Sequence, residues 1–182
     1  MNKPLVFATG VVLLILLSTV LGSLWYISSH SFEDPAEILE LSNQILPLQV
    51  PADMQPIHAR DLVGVQLAIF GQFDEFDKPV DALRVTSYPL SDEDDTDSNW
   101  DFMIDGDWEQ AGLTQTSSGD FAIPYQGEQW SASFREGTKE GGELYRALSL
   151  KREIDGKMVA IYWLGPDTSA SIARFTALFH NS

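Results

Sequence analysis

An acidic stretch holds the highest density of residues in this chain that could do chemistry. Residues 91–109 read SDEDDTDSNWDFMIDGDWE, and nine of these nineteen positions are Asp or Glu. Carboxylates this close together suit a calcium loop, a catalytic cluster or the solvated start of a helix.

The spacing does not fit a regular calcium loop. An EF-hand needs oxygen ligands at positions one, three and five, Gly at position six and Glu at position twelve. Counting from Asp95 places Trp100 sixth and Gly106 twelfth, and both are wrong. A looser calcium site within residues 92–109 stays open as an alternative, because oxygen-only sites accept varied geometry.

A helix explains the stretch better. Asp97 or Ser98 can cap its start, and the preceding acids then lie where the helix dipole favours negative charge. Gly112 can end it. The apolar residues that recur on one stripe of this helix are Trp100, Met103 or Ile104, Trp108 and Ala111.

The remaining residue types give no catalytic constellation. The three histidines, His30, His58 and His180, have no metal-ligand spacing, and the chain has no cysteine, so thiolate catalysis, zinc–thiolate sites and iron–sulfur clusters are excluded. No G-x-S-x-G elbow or phosphate-binding glycine loop occurs, and residues 114–120 (TQTSSGD), which include Ser117–Asp120, are predicted as a loop. We therefore assign no catalytic, cofactor-binding or metal-ligating residue, and expect no cofactor and no enzymatic activity.

Three basic residues, Arg146, Lys151 and Arg152, fall in one predicted strand of an otherwise acidic chain. Cross-strand ion pairing is the ordinary explanation for such a group. Contact with an anion or with a partner is the alternative.

The charge balance excludes one class of partner. The 182 residues include 11 basic and 27 acidic side chains, for a net charge of −16. Such a surface repels phosphate backbones and anionic lipid heads, so we expect no nucleic-acid binding. The length fits one compact domain with an attachment segment.

The leading residues predict a membrane anchor. Leu5 to Ile27 form a 23-residue run without charge, which as a helix would span ~35 Å. Trp25 and Tyr26 suit an interfacial belt, and Lys3 places the amino terminus in the cytoplasm. We predict an anchor over residues 1–30 in the cell inner membrane, with residues 31–182 as a periplasmic domain. Cleavage of a signal peptide near Gly22 is the alternative.

Hydrophobic periodicity predicts the elements of that domain. A helix over Pro35–Leu46 follows an Asp34 cap. Residues 143–164 form a hairpin around a type I′ turn at Asp155-Gly156. A carboxy-terminal helix, capped by Asp167 or Thr168, carries Ile172, Phe175, Leu178 and Phe179 on one stripe. With further strands near residues 65–70, 83–88 and 130–134, the expected class is α+β: a transmembrane helix, then a mostly antiparallel sheet with packed helices.

Three segments carry a resemblance: DPAEILELSNQILPLQVPADMQP, GVQLAIFG and IDGKMVAIYWLGP. Together they resemble a family of uncharacterised bacterial single-pass, membrane-anchored extracytoplasmic proteins. The element order is also similar to the fold of the extrinsic proteins of the photosystem oxygen-evolving centre. These motifs are caps and turns, so the resemblance implies a fold and no activity.

Two functions follow as expectations, and an extracytoplasmic hydrolase with an unrecognised carboxylate site stays open beside them. The first is a membrane-tethered, non-catalytic accessory or interaction module, whose partner would be another membrane protein. The alternative is a small-ligand or lipid-binding domain with an aromatic-lined pocket between sheet and helix. The tryptophans considered for that pocket are Trp100, Trp108, Trp130 and Trp163.

Overall fold

The computed structural model describes residues 23, 25–73, 79–90 and 104–180. The chain divides into two compact units, Met1–Ser31 and Phe32–Ser182. In the described part of the first unit, residues 25–29 are helical. The His30 ring stacks on Tyr26 there, with 4.2 Å between the ring centroids.

The predicted membrane anchor is contradicted. Among the described residues no helix is long and apolar enough to cross a membrane. A spanning helix needs about 20 consecutive apolar residues. Residues 1–22 and 24, on which the prediction also depended, lie outside the described residues. We therefore retain neither the single-pass anchor nor the inner-membrane location.

One antiparallel sheet dominates the second unit. Its order is β1-β2-β3-β4-β8-β7-β6-β5, so β4 and β8 join two runs of sequential strands. The eight strands are β1 (Ser31–Phe32), β2 (Gln55–Leu62), β3 (Val65–Phe73), β4 (Pro79–Pro89), β5 (Thr114–Tyr125), β6 (Glu128–Thr138), β7 (Leu144–Ile154) and β8 (Lys157–Pro166).

Three short helices accompany this sheet in the described chain: α1 (Pro35–Ile45), α2 (residues 104–110) and α3 (Ile172–Ala177). The predicted α+β class is therefore wrong. The architecture is mainly β, because several segments that looked like loops pair as strands, and because no leading membrane helix is found in the described residues.

Each face of the sheet has its own core. We name the faces after the helices that cover them. The α1 face buries Ile38 and Leu41 of α1 and Phe175 of α3 against a floor of strand residues that includes Phe70, Leu83, Leu148, Ile161 and Trp163. The α2 face buries a smaller cluster of Ile104, Trp108, Leu113, Tyr145, Ala147, Ala160 and Tyr162.

Local sequence rules account for α1 and for the β7–β8 hairpin. The Asp34 carboxylate accepts hydrogen bonds from the backbone N–H of Ala36 at 2.8 Å and of Glu37 at 3.4 Å. Asp155 and Gly156 take φ values of 50° and 75°, as a type I′ turn requires. Both elements confirm the prediction, with α1 ending one residue early.

Two local predictions were wrong. Residues 114–120, predicted as a loop, form the first half of β5, which turns into β6 at Gln126 and Gly127 with φ values of 49° and 82°. The cap of α3 is Ser171, whose Oγ accepts from the N–H of Arg174 at 3.3 Å, and not Asp167 or Thr168. The predicted packing of this helix on the sheet is confirmed by the burial of Phe175, Leu178 and Phe179.

The sheet opens between β6 and β7. These strands pair from Thr138 opposite Leu144 to Ser133 opposite Ser149, and residues 128–132 of β6 pair with β5 alone. The free end of the β5–β6 hairpin packs on the α1 face, where Trp130 lies 6.1 Å from the Phe179 ring. Near the last β6–β7 pair, the α2 face of these strands is therefore left uncovered.

Candidate functional site

A polar cleft of about 380 Å³ lies on the α2 face across β5, β6 and β7. Its volume is in the range of small-molecule sites. The polar residues that line it are Gln115, Ser118, Asp120, Ser133, Arg135 and Ser149, and the apolar part includes Ile104, Ala147 and Tyr162.

Strand register places these side chains side by side. Asp120 pairs with Ser133, Ser133 with Ser149, and Ser149 with Tyr162, so one row crosses four strands. Paired residues project to the same side of a sheet, and neighbouring strands lie about 4.8 Å apart. The row therefore presents a carboxylate and two hydroxyls at regular spacing, beginning where β6 leaves β7.

Both charged groups of the cleft already have partners. The Ser133 hydroxyl donates to Asp120 Oδ1 at 2.8 Å. The Arg135 guanidinium donates to Asp105 Oδ1 at 2.6 Å and lies 5.6 Å above the Trp108 ring. The cleft consequently has hydrogen-bonding capacity without a strong excess of either charge.

Tyr162 forms the deep side of the cleft and is 1% exposed. Burial raises the pKa of its phenol, and the nearby Asp107 carboxylate raises that pKa further. The phenol therefore stays protonated at neutral pH. It adds an aromatic ring at the β8 end of the row.

The described residues of this cleft do not form a nucleophile–base pair. A serine nucleophile needs a base that is itself oriented by a third group. The lining residues that the structure describes include no histidine, lysine or cysteine, and the Ser133 hydroxyl donates to a carboxylate instead of an imidazole. The arrangement is suited to hydrogen bonding with a small molecule.

No histidine is among the described residues that line the cleft. His30 Nδ1 donates to the Tyr26 carbonyl oxygen at 2.9 Å within its own helical turn. His58, on β2, accepts from Arg60 Nε at 2.8 Å. His180 is exposed just after α3. Among the described residues no three His, Asp or Glu side chains group as a metal would require.

The tryptophans are core residues where the structure describes them. Trp108 belongs to the core of the α2 face, and Trp130 and Trp163 belong to the core of the α1 face. None of these three lines the cleft. Trp100 lies outside the described residues.

Two of the three basic residues form the cross-strand pairs that the sequence predicted. Arg146 Nε donates to Glu136 Oε1 at 2.9 Å directly across β6 and β7. Arg152 donates to Glu128 at 2.6 Å and stacks on Trp130. Burial lowers the pKa of Lys151.

The described end of the acidic stretch is a helix held by arginines. Asp107 pairs with Arg84 of β4, and Asp105 pairs with Arg135 of β6. Gly112, with a φ of 66°, follows α2, as expected for its end. The rest of the stretch, residues 91–103, lies outside the described residues, and so do most of the candidate calcium ligands.

Sequence reasoning missed the cleft because its residues look like loop residues. Ser118 and Asp120 belong to the segment read as a loop, and Ser133 and Ser149 are ordinary strand-surface residues. Only the recognition of β5 as a strand would have aligned them.

Comparison with known proteins identifies no family for this chain. No protein-family model matches the chain, and no curated protein matches it. The resemblance carried by the three segments DPAEILELSNQILPLQVPADMQP, GVQLAIFG and IDGKMVAIYWLGP therefore stays a prediction.

Proposed function

We propose that this protein is a non-catalytic binding module that takes a small, uncharged, hydroxyl-bearing molecule in the cleft across β5, β6 and β7. The observation that carries the proposal is the row Asp120–Ser133–Ser149, which is continuous across three strands and lies beside the Tyr162 ring. The serine hydroxyls can donate to and accept from a polyhydroxylated ligand, and the ionised carboxylate accepts from it.

The charge state of the cleft supports an uncharged ligand. Arg135 is paired with Asp105, and Asp120 accepts from Ser133 and keeps its negative charge, so the cleft offers no free cation to an anionic ligand. The net charge of −16 also disfavours anions, including nucleic acids. A neutral sugar or polyol meets no such penalty.

A saturation-transfer NMR screen tests the proposal. The full chain is mixed with glucose, glycerol, gluconate and glucosamine, which differ in charge but share hydroxyl groups. We expect saturation transfer to the neutral compounds and weaker transfer to gluconate. No transfer to either neutral compound, or stronger transfer to gluconate, would refute the proposed ligand class.

Serine variants locate the binding. Ser149→Ala removes one hydroxyl from the cleft and should weaken binding of the neutral ligand about five- to tenfold, as expected for one lost hydrogen bond. Ser131→Ala is the matched control, because Ser131 is exposed on the same face of β6, two residues from Ser133, and does not line the cleft. Equal weakening by both variants would place the ligand elsewhere.

A further inference from the structure

A buried carboxylate lies at the opposite side of the sheet from the cleft. Asp81, on β4, has a residue exposure of 3% and faces the core with Leu83 and Val85. In the described part of the chain neither oxygen of its carboxylate accepts a hydrogen bond of regular geometry, although Ser169 and Trp163 lie close enough to act on it as weak donors. An unpaired buried charge is strongly unfavourable. The folded environment therefore favours the neutral acid.

The neighbours of Asp81 leave it little room and few donors. A Cβ atom at Gly165 of β8 would lie 2.7 Å from Asp81 Cβ, so the two strands meet closely there. Ser169 and the Trp163 indole face the carboxylate, but the Ser169 hydroxyl donates to the Pro166 carbonyl oxygen at 3.1 Å and Trp163 Nε1 has no described partner. Ser169 and Trp163 lower the pKa of Asp81 by less than burial raises it.

A charged pair lies above this site. Arg174 of α3 donates to Asp53 Oδ1 at 2.5 Å, and its guanidinium lies 5.3 Å from the Trp163 ring. Asp53 also accepts from Gln72 of β3. This pair ties the turn at residues 51–54 to both α3 and the sheet.

The charges that face Asp81 are few. Arg174 of α3 and Asp53 of the 51–54 turn are the charges that act on it. Gln72, the residue paired with Asp81 across β3 and β4, donates to Asp53 and so places the turn beside this site. The described residues of β3, β8 and the loop after β8 present Gln72, Trp163 and Ser169 to this region and add no charge. Burial raises the pKa of Asp81, whereas Ser169, Trp163 and Arg174 lower it by smaller amounts.

We propose that Asp81 is a proton-controlled latch for the 51–54 turn and α3. When Asp81 is neutral, Arg174 pairs with Asp53, and the 51–54 turn and α3 both pack on the sheet. When Asp81 ionises, it competes with Asp53 for Arg174 and repels the Asp53 carboxylate. The two segments loosen together, because Gln49 N–H also donates to the Leu178 carbonyl oxygen at 2.8 Å.

The stability consequence has a definite sign. A carboxyl group whose pKa is higher in the folded state stabilises the fold at low pH. That stability is lost as pH rises from the unfolded pKa, near 3.9, through the folded pKa. Asp81→Asn keeps the shape and cannot ionise. It should therefore be increasingly more stable than the parent protein as pH rises.

An NMR titration from pH 4 to pH 9 tests the latch. The ¹³Cγ signal of Asp81 reports its ionisation, and the amide signals of residues 51–54 and 172–179 report the two segments. In the parent protein we expect both sets of amides to shift with the Asp81 midpoint. In Asp81→Asn that transition should vanish, whereas it should persist in Asp120→Asn, which removes an exposed carboxylate of the cleft.

A second variant keeps the test decisive if Asp81→Asn folds poorly. Arg174→Gln removes the cation that favours ionised Asp81, so the Asp81 midpoint should rise and the amides of the 51–54 turn should no longer follow it. If Asp81 titrates while both segments stay unchanged, or if the same amide transition remains in Asp81→Asn, the latch is wrong.

Discussion

The Trp108 ring occupies the space where a side chain at position 137 would lie. A Cβ atom built on Gly137 would be 2.4 Å from Trp108 Cζ2 and 2.7 Å from the Thr114 carbonyl oxygen. Real atoms do not approach so closely, so this glycine lets α2 pack directly on β6. The contact also fixes α2 beside the polar cleft, because Arg135 stacks on the same ring.

Gly137→Ala should therefore destabilise the protein. The added methyl group must displace either the buried indole or the backbone of β5, and overpacking of this kind costs about 1–3 kcal/mol. Urea unfolding monitored by far-ultraviolet circular dichroism measures the loss. An unfolding free energy equal to that of the parent protein would contradict the close packing of Trp108 on β6.

Gly106→Ala should have the opposite effect. Gly106 lies in α2, is exposed, and has no atom within 4 Å of the position its Cβ would take. Alanine lowers the backbone entropy of the unfolded chain and favours the helix, so a gain of about 0.5–1 kcal/mol is expected. The same urea experiment measures it, and a loss of stability would mean that residues 104–110 are not helical.

Local sequence patterns were sufficient for part of this fold. The Asp34 cap, the Asp155-Gly156 turn and the apolar run of β8 are short-range signals, and each has the structure that its residues favour. Central placement of β8, between β4 and β7, follows from apolar residues on both of its faces.

Other elements depend on contacts that no local pattern contains. The first half of β5 is rich in serine, threonine and glycine, which are common in loops, and it is a strand because β6 pairs with it along its length. Val65, Leu67 and Ile69 alternate as core residues would, yet Ala68 and Phe70 are the fully buried residues of β3, because α1 covers that side.

The two sites differ in how visible they are in the sequence. Asp81 is in phase with the core residues Leu83 and Val85, so the strand pattern places a carboxyl group at a core position. That placement is visible in the sequence and indicates an unusual group. The cleft had no such signal. Its serines come from three strands, and only the register of the sheet brings them together.

The two ion pairs that hold α2 should differ in strength. Arg84 and Asp107 have side-chain exposures of 25% and 19%, whereas Arg135 and Asp105 have 31% and 54%. Double-mutant cycles with Arg84→Met and Asp107→Asn should give a coupling of about 1 kcal/mol, because less solvent screens that pair. The cycle with Arg135→Met and Asp105→Asn should give less than about 0.5 kcal/mol.

Salt provides the check on this comparison. In 1 M sodium chloride the coupling of the exposed pair should fall close to zero, and the less exposed pair should keep more of its coupling. Equal couplings at both salt concentrations would mean that burial does not distinguish the two contacts.

Glu136 should give the protein part of its acid sensitivity. Its carboxylate accepts from Ser117 Oγ at 2.6 Å and from Arg146, and these two contacts lower its pKa. A carboxylate with a lowered folded pKa stabilises the protein above its unfolded pKa of about 4.3. That stability is lost as pH falls through the folded pKa.

Glu136→Gln removes the charge and keeps the size of the side chain. At pH 7 the variant should be less stable by about 1 kcal/mol, in line with partly exposed hydrogen bonds to a charged group. The difference should shrink as pH falls below the unfolded pKa, because Glu136 of the parent protein is then neutral too. Urea unfolding at pH 7, 5 and 3 measures this trend, with Glu140→Gln as an exposed control. A difference that stays constant from pH 7 to pH 3 would show that the charge of Glu136 does not stabilise the β6–β7 pair.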